Sequence, residues 1–310
     1  MSIAAVFPGQ GAQVVGMGSS LAERFPSCRR ILDQADDIMD MALSDIIANG
    51  PMEDLTRTDM SQPAILVVSW MAYTALTETF RDLRFSAAAG LSLGEYTALL
   101  AADAIDFPDA LRLVALRGRA MQEAAEAQPS GMVALIGADE AGANALCQAV
   151  AQGEVLQVAN LNAPGQVVIS GTQEACDRAV AAAREHGIRR AMPLPVAGAF
   201  HSPLMAPAAD RLAAALAEVP FRDPQIPVYA NVDAAPVTTA EAIAPSLVQQ
   251  LTMPVRWADS VQAMLVGGAT TYIEMGPGKT LSGMIARTVQ GVTCHNIAEA
   301  EDVFTVGGSA

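Results

Sequence analysis

The sequence predicts an α/β fold: a large domain built on a parallel sheet, with a smaller α+β subdomain inserted into it. Three observations predict it. Short apolar runs end at glycine-containing turns, as buried parallel strands do. Helical patterns follow those turns, and from about residue 131 a different order of strands and helices interrupts the alternation. The chain has 310 residues, of which 52% are hydrophobic, so it can bury a sizeable core.

The elements of the large domain alternate between strands and helices along the chain. Predicted strands cover residues 3–7, 85–90, 228–232 and 271–275. Predicted helical segments cover residues 21–41, 64–76, 93–102, further stretches after 201 and one segment beyond the turn 276–278. The alanine-rich run 85–90 has a poor strand propensity, so this strand requires tight packing between helices.

The inserted subdomain has the order β-α-β-β-α-β, which is typical of a ferredoxin-like unit. Its predicted elements cover residues 132–136, 140–152, 155–160, 166–170, 174–186 and 190–195. Gly187 follows the second helix at the position of a C-cap. We therefore predict a catalytic domain formed by residues 1–128 and 197–310, and a ferredoxin-like subdomain formed by residues 129–196.

Composition and charge argue against several functional classes. The formal net charge is −15, whereas nucleic-acid binding requires clustered Lys and Arg, so no nucleic acid is expected as a partner. No apolar run approaches about 18 residues and no targeting signal is visible, which predicts a cytoplasmic protein without membrane association. The four cysteines are scattered without CxxC spacing, so neither a metal site nor a disulfide framework is expected.

The segment Gly90-Leu91-Ser92-Leu93-Gly94 matches the pattern GxSxG. In an α/β-hydrolase-like domain this pattern forms a sharp turn that exposes the serine oxygen at the start of a helix. The pattern also occurs by chance, and an ordinary glycine-lined turn between a strand and a helix is the alternative interpretation. Here the predicted strand before it and the predicted helix after it supply the required context, so Ser92 is the candidate nucleophile.

A serine nucleophile needs a base, and the chain has three histidines. His186 lies in a charged helix end, where a capping or solvated role is expected, and His295 lies in a short apolar run near the C-terminus. His201 lies in the loop after the inserted subdomain. It is therefore the candidate base, and a buried structural histidine is the alternative.

Seven further segments share their order and spacing with a known family. They are FPGQGAQ at 7–13, GLSLGEY at 90–96, LRG at 116–118, NLNAPGQ at 160–166, AFHS at 199–202, PVRW at 254–257 and GPG at 276–278. The chain resembles the malonyl-CoA:acyl carrier protein transacylases, the FabD-type enzymes of fatty acid synthesis, and their acyltransferase relatives in polyketide synthases. The resemblance runs nearly from end to end.

The resemblance implies catalytic roles for five residues. Ser92 would be the nucleophile, and His201 would be the base that removes its proton. The main-chain carbonyl of Gln250 would orient the histidine, which explains why no third acid stands out. The backbone N–H groups of Gln10 and Leu93 would form the oxyanion hole.

The resemblance also implies two residues that select the substrate. Arg117 would bind the free carboxylate of malonate, since a guanidinium offers two parallel donors; a solvated helix residue is the alternative. Phe200 would crowd an α-methyl branch, which is worth about 1–3 kcal/mol and predicts a preference without absolute selectivity. Leu91 departs from the family, where many members carry histidine. This departure puts in doubt any mechanism that uses a second histidine beside Ser92.

The predicted reaction moves a malonyl group from malonyl-CoA to the phosphopantetheine thiol of an acyl carrier protein through an ester on Ser92. It needs no metal and no redox cofactor. Hydrolysis of acyl thioesters on the same fold is the enzymatic alternative, and a docking module without catalysis is a second one. The sequence does not distinguish fatty acid synthesis from polyketide synthesis, and it leaves the oligomeric state open.

A basic patch is expected to bind the carrier. Acyl carrier proteins are acidic, so a local patch must overcome the repulsion from the negative net charge of this chain. The candidates are Arg189, Arg190, Arg287 and Lys279, which is the single lysine of the sequence. Scattered surface charges without a common role are the alternative.

Overall fold

The structure is a computed structural model that describes residues 2–308. The strands are β1 (Ile3–Phe7), β2 (Ala87–Gly90), β3 (Ser130–Ile136), β4 (Leu156–Ala163), β5 (Gln166–Thr172), β6 (Arg190–Pro193), β7 (Val228–Tyr229), β8 (Pro236–Val237), β9 (Thr271–Met275) and β10 (Thr293–Ile297). The α-helices are α1 (Ser19–Arg24), α2 (Pro26–Met39), α3 (Leu43–Asn49), α4 (Met52–Thr56), α5 (Thr58–Thr79), α6 (Gly94–Ala101), α7 (Phe107–Glu126), α8 (Glu140–Val150), α9 (Gln173–Ala182), α10 (Ala206–Leu216), α11 (Ala240–Gln250), α12 (Trp257–Val266) and α13 (Thr280–Thr288). Two 3₁₀ segments cover Pro203–Met205 and Ala300–Gly308.

A six-stranded sheet forms the centre of the large domain. Its strand order is β10-β9-β1-β2-β7-β8. Neighbouring strands from β10 to β7 run parallel, and β8 pairs with β7 in the antiparallel direction. Phe7 pairs with Gly90 at the ends of β1 and β2, so the loops after these two strands leave the same edge of the sheet side by side. Ligands of open α/β sheets bind at the carboxyl ends of such strands.

Close packing explains the small residues around β2. All four residues of this alanine-rich strand are buried, and helix α6 packs against both β1 and β2. A Cβ atom on Gly94 would lie 2.3 Å from the carbonyl oxygen of Phe7. Side chains larger than alanine would push the helix away from the sheet, so the predicted tight packing is confirmed.

Helices α5 and α7 pack against each other beside this sheet. A Cβ atom on Gly118 of α7 would lie 2.8 Å from the carbonyl oxygen of Thr58, at the start of α5. The glycine therefore lets the two helices approach closely. This approach brings Arg117, the residue before Gly118, next to Gln62 of α5.

The subdomain contains a four-stranded antiparallel sheet with the order β4-β5-β3-β6. Helices α8 and α9 pack on this sheet and on each other, which confirms the predicted ferredoxin-like unit. Its sheet has two apolar faces. Val133 and Ile169 belong to a core shared with the two helices, whereas Met132 and Val168 belong to the core of the large domain. The domain boundaries at 128/129 and 196/197 stay a prediction.

Several sequence-based element predictions differ from the structure, and helices α3, α4 and α7 were not among the predicted segments. Strand β10 was not predicted, because its five residues mix polar and apolar side chains, are mostly half-buried and show no clear alternation. The predicted strand 228–232 is only two residues long, followed by a turn and the short strand β8. The predicted helical stretch 21–41 is divided into α1 and α2 at Phe25, directly before Pro26, because the residue before a proline avoids the helical conformation.

The four cysteines are free thiols, and burial raises the pKa of Cys28 and of Cys147 to about 12. Across residues 2–308, no group of three or more His, Cys, Asp or Glu side chains is placed to hold a metal ion. No helix in the described part of the chain is long and apolar enough to cross a membrane.

Candidate active site

Ser92 lies in the sharp turn between β2 and α6 with a φ of 53°, a left-handed conformation that is uncommon for a residue other than glycine. A Cβ atom on Gly90 would lie 1.9 Å from the carbonyl carbon of Gly94, so glycine is required at this end of the motif. Gly94 is required at the other end by its approach to Phe7. The turn therefore projects the serine side chain beyond the sheet.

Asn231, which follows β7, holds this turn in place. The backbone N–H of Ser92 donates to Asn231 Oδ1 at 2.6 Å, and Asn231 Nδ2 donates to the carbonyl oxygen of Gly90 at 2.7 Å. Asn231 is fully buried. The sequence analysis did not identify this residue, because a single asparagine inside a predicted strand carries little signal.

The structure brings Ser92 and His201 together. Ser92 Oγ lies 2.9 Å from His201 Nε2, and His201 Nδ1 lies 2.7 Å from the carbonyl oxygen of Gln250. A carbonyl only accepts, so Nδ1 carries the proton and donates it to Gln250. The lone pair of Nε2 then faces the serine hydroxyl, which is the arrangement that a general base requires.

Burial keeps His201 neutral. The side chain is almost fully buried, and this burial, together with the positive charge of Arg117, lowers the pKa of His201 to about 4. The backbone at this position has a φ of 58°. Gln157 Nε2 donates to the carbonyl oxygen of His201 at 2.9 Å and so fixes the loop. Near neutral pH the imidazole is therefore ready to accept a proton.

Arg117 is a buried cation that points at the same serine. Its Nη2 donates to Ser92 Oγ at 3.0 Å and to Gln250 Oε1 at 2.9 Å, and its Nη1 donates to Gln62 Oε1 at 2.6 Å. The guanidinium carbon lies 5.8 Å from the centroid of the Tyr96 ring. Burial lowers the pKa of Arg117. None of its hydrogen bonds within residues 2–308 goes to a carboxylate.

Gln250 connects the parts of the site. Its backbone carbonyl oxygen accepts from His201 and its Oε1 accepts from Arg117, while its Nε2 donates to the carbonyl oxygen of Ser92 at 2.9 Å and to Glu95 Oε2 at 2.8 Å. Glu95 is buried, and burial raises its pKa to about 7 although hydrogen bonds to Gln250 and Asn231 oppose this shift. The sequence analysis did not identify Glu95. A carboxylate inside the apolar stretch 93–102 was the signal that could have revealed it.

Two backbone N–H groups in the segments around the serine turn have no acceptor within residues 2–308. A Cβ atom on Gly9 would lie 2.5 Å from the carbonyl oxygen of Leu91, so the loop after β1 runs directly beside the serine turn. This loop carries the N–H of Gln10, and the N–H of Leu93 lies at the start of α6. Neither N–H has a hydrogen-bond acceptor in the described part of the chain. Both are therefore available to an oxygen atom of a ligand.

A cavity of about 420 Å³ opens above Ser92, between the loops of the large domain and one face of the subdomain sheet. Its walls are mainly apolar, and Ser92 and His201 are among its polar groups. The residues that line it include Gln10, Leu91, Ser92, Met132, Asn160, Asn162, Val168, Leu194, Phe200, His201 and Met284. His186 and His295 do not line it.

Comparison with known proteins identifies the family of this chain. The family model of the acyl transferase domain matches residues 5–307. The chain belongs to the acyl transferase domain family. The malonyl CoA-acyl carrier protein transacylase of Bacillus subtilis is 41% identical to this acyl transferase domain over 304 residues, which is 97% of this chain and 95% of that relative.

Solved structures resemble this acyl transferase domain along its whole length. An acyl carrier protein S-malonyltransferase from Vibrio cholerae has a TM-score of 0.95 and 41% identity, and covers 99% of this chain and 100% of its own. A malonyl-transacylase solved in complex with a type II PKS acyl-carrier protein has a TM-score of 0.96 and 39% identity, and both chains are fully covered. The chain therefore has both the sequence and the fold of this acyltransferase family.

The four basic residues predicted to bind a carrier lie in two places on this acyl transferase domain. Arg189 and Arg190 lie at the start of β6, one edge of the subdomain sheet, and α13, which carries Lys279 and Arg287 at its ends, contacts β4 at the other edge. The edges are three strand spacings apart, roughly 14 Å. All four side chains are exposed, and no salt bridge within residues 2–308 involves them.

Proposed function

We propose that this protein transfers a malonyl group from malonyl-CoA to the phosphopantetheine thiol of an acyl carrier protein. The observation that carries this proposal is the buried guanidinium of Arg117, 3.0 Å from Ser92 Oγ and free of any carboxylate partner within residues 2–308. An acyl group esterified to Ser92 that ends in a carboxylate would neutralise this charge, and an uncharged acyl group would not. The relatives named as malonyl transacylases support the same substrate.

The first half-reaction forms an ester on Ser92. His201 Nε2 takes the hydroxyl proton while Ser92 Oγ attacks the thioester carbonyl, and the hydrogen bond from Nδ1 to Gln250 stabilises the imidazolium. The N–H groups of Gln10 and Leu93 bind the oxyanion of the tetrahedral intermediate. The intermediate then expels the thiolate of coenzyme A, which takes the proton from His201.

The second half-reaction reverses these steps with a different thiol. His201 removes the proton of the phosphopantetheine thiol, whose sulfur attacks the ester, and Ser92 regains its proton as the malonyl group leaves. The exchange between ester and thioester is redox-neutral, and one proton passes in net terms from the carrier thiol to coenzyme A by way of His201 and Ser92, so the proposed reaction needs no cofactor. The kinetics should be ping-pong.

The two domains divide this work in our proposal. The large domain, residues 1–128 and 197–310, supplies the reacting groups, and the subdomain, residues 129–196, covers the acyl group with its apolar face. Met132, Val168 and Leu194 of that face line the cavity and limit the access of water to the ester. We place the reaction in the cytoplasm, the reducing compartment that suits four free thiols.

Intact-mass spectrometry tests the proposed function. Incubation with malonyl-CoA should add one malonyl group to the protein, and addition of a phosphopantetheinylated carrier should move that group to the carrier. The Ser92→Ala variant should form no adduct, whereas Ser86→Ala, a change to an exposed serine at the opposite end of β2, should behave as the unmodified protein does. Rapid release of free malonate that the carrier does not redirect would instead identify a hydrolase.

Charge reversal tests the proposed carrier surface. Arg190→Glu and Lys279→Glu should each raise the KM for the carrier several-fold, because each places a negative charge against an acidic partner. Formation of the malonyl adduct from malonyl-CoA should be unchanged in both variants, since neither residue lines the cavity. An unchanged carrier KM in both variants would exclude this surface.

A further inference from the structure

A chain of buried hydrogen bonds joins a carboxyl group to the arginine of the site. Glu95 Oε2 accepts from Gln250 Nε2 at 2.8 Å, and Gln250 Oε1 accepts from Arg117 Nη2 at 2.9 Å. The same Nη2 donates to Ser92 Oγ. Glu95, Gln250 and Arg117 are each at most 2% exposed, so water does not screen them.

Arg117 and Glu95, at the two ends of this series of hydrogen bonds, fix the orientation of the Gln250 side-chain amide. A guanidinium only donates hydrogen bonds, so the amide oxygen of Gln250 must face Arg117. The amide nitrogen then faces Glu95, which also accepts from the backbone N–H of Asn231 at 3.0 Å. Because the backbone carbonyl of Gln250 holds His201, the carboxyl group of Glu95 anchors the residue that orients both the base and the arginine.

Few charged groups act on Glu95. Arg117 faces it from α7, Asp233 faces it from the loop after β7, and the hydroxyl of Tyr96 lies on its own helix. Arg117 is the only cation among these groups, and it reaches Glu95 through the neutral amide of Gln250. The two opposite charges are therefore coupled without a direct ion pair.

We propose that Glu95 is a positioning residue that holds Gln250 against Arg117 and whose charge sets how strongly the site prefers a malonyl group over an uncharged acyl group. This inference rests on the proposed function, in which Arg117 binds the malonyl carboxylate. That carboxylate and an ionised Glu95 are two negative charges near one guanidinium, and they repel each other. When Glu95 is protonated the repulsion disappears, and the hydrogen bonds that it accepts remain available to its carbonyl oxygen.

The repulsion should make malonyl selectivity depend on pH. Burial raises the pKa of Glu95 to about 7, so its charge appears as the pH rises through the neutral range. Two negative charges roughly 10 Å apart around a buried guanidinium change an equilibrium about tenfold. An acetyl group carries no charge, so the ratio of malonyl to acetyl acylation rates isolates this effect. His201 is the base for both substrates, so the effect of its protonation on the two acylation rates cancels in the ratio.

The test measures acylation of the full-length protein by malonyl-CoA and by acetyl-CoA with rapid-quench mass spectrometry, between about pH 6 and about pH 8.5. In the unmodified protein the rate ratio should fall about tenfold as the pH rises. In Glu95→Gln, which keeps the shape and an acceptor oxygen, the ratio should stay near its low-pH value throughout. Asp233→Asn removes the other, exposed acid that faces Glu95, and its rate ratio should still fall as the pH rises.

A second variant distinguishes the positioning role of Glu95 from the effect of its charge. Glu95→Ala removes the anchor of Gln250, so acylation by both substrates should slow at least tenfold, and Glu95→Gln should restore most of that rate. A ratio independent of pH in the unmodified protein, or a Glu95→Gln ratio that still falls with pH, would overturn the inference. These results differ from failure of the proposed function, in which the unmodified protein forms no malonyl adduct at all.

Discussion

Replacing Arg117 by lysine tests whether the planar fork of the guanidinium, and not only its charge, recognises the substrate. Arg117 reaches Gln62 through Nη1 and both Ser92 and Gln250 through Nη2. A lysine ammonium keeps the charge, but it is a single donor centre and cannot span these positions while also binding a carboxylate through two parallel hydrogen bonds.

The size of the effect follows from the lost hydrogen bond. One charge-assisted hydrogen bond contributes about 1.5–3 kcal/mol, so malonyl acylation in Arg117→Lys should slow about 10- to 150-fold. Acetyl acylation should slow much less, because an acetyl group has no carboxylate for Arg117 to bind. The unpaired oxygen of Gln62 should also cost about 1–3 kcal/mol of folding free energy.

The assay follows the rate of adduct formation from malonyl-CoA and acetyl-CoA by intact mass, with thermal unfolding measured in parallel. Arg119→Lys is the matched control, since Arg119 lies on the same helix but is exposed, and both of its rates should be unchanged. Equal slowing of the two substrates in Arg117→Lys would refute the reasoning, because it would mean that the arginine supports the fold or the serine without recognising the carboxylate.

Three further outcomes are expected. Phe200→Ala should raise methylmalonyl acylation relative to malonyl acylation at least tenfold in competition assays with mixed thioesters, because the ring lines the cavity next to the base. Acetyl acylation should keep its rate as the pH falls from about 8 to about 5, because the pKa of His201 is about 4 and the imidazole stays neutral above that pH. A rate that falls to half its value near pH 6.5, the ordinary pKa of histidine, would contradict this prediction. Gly94→Ala should destabilise the protein by several kcal/mol in urea titrations, since its Cβ would lie 2.3 Å from the carbonyl oxygen of Phe7. The matched control is Gly283→Ala, at an exposed helix position where no atom lies within 4 Å of the added Cβ. This change should stabilise the protein by up to about 1 kcal/mol.

The sequence predicted the order of most elements because their signals are local. Strand β1 ends at Pro8-Gly9, the turn at Ser92 carries a glycine on each side, and the subdomain strands alternate between two apolar faces. Strand β10 lacks such a signal. Its residues pair in parallel with the edge of β9, a partner that is distant in the local sequence pattern.

The same limit applies to the candidate site. Ser92 and His201 were identified because a serine motif and a short set of histidines narrow the choice, and the resemblance supplied Arg117, Gln250 and the two N–H donors. Asn231 and Glu95 were not identified. Their roles depend on hydrogen bonds to partners far away in the sequence, and such bonds leave no periodic pattern in the chain.

By itself, then, the sequence determined the alternation of strands and helices and the inserted subdomain, and it predicted a serine nucleophile with His201 as the candidate base. Only the tertiary structure decided how the buried polar groups connect. Glu95 and Gln250 are 155 positions apart, and Arg117 and Gln250 are 133 positions apart. The packing of α6, α7 and α11 around the sheet brings these side chains together, and side-chain partners at such separations are set by that packing and not by local conformational preference.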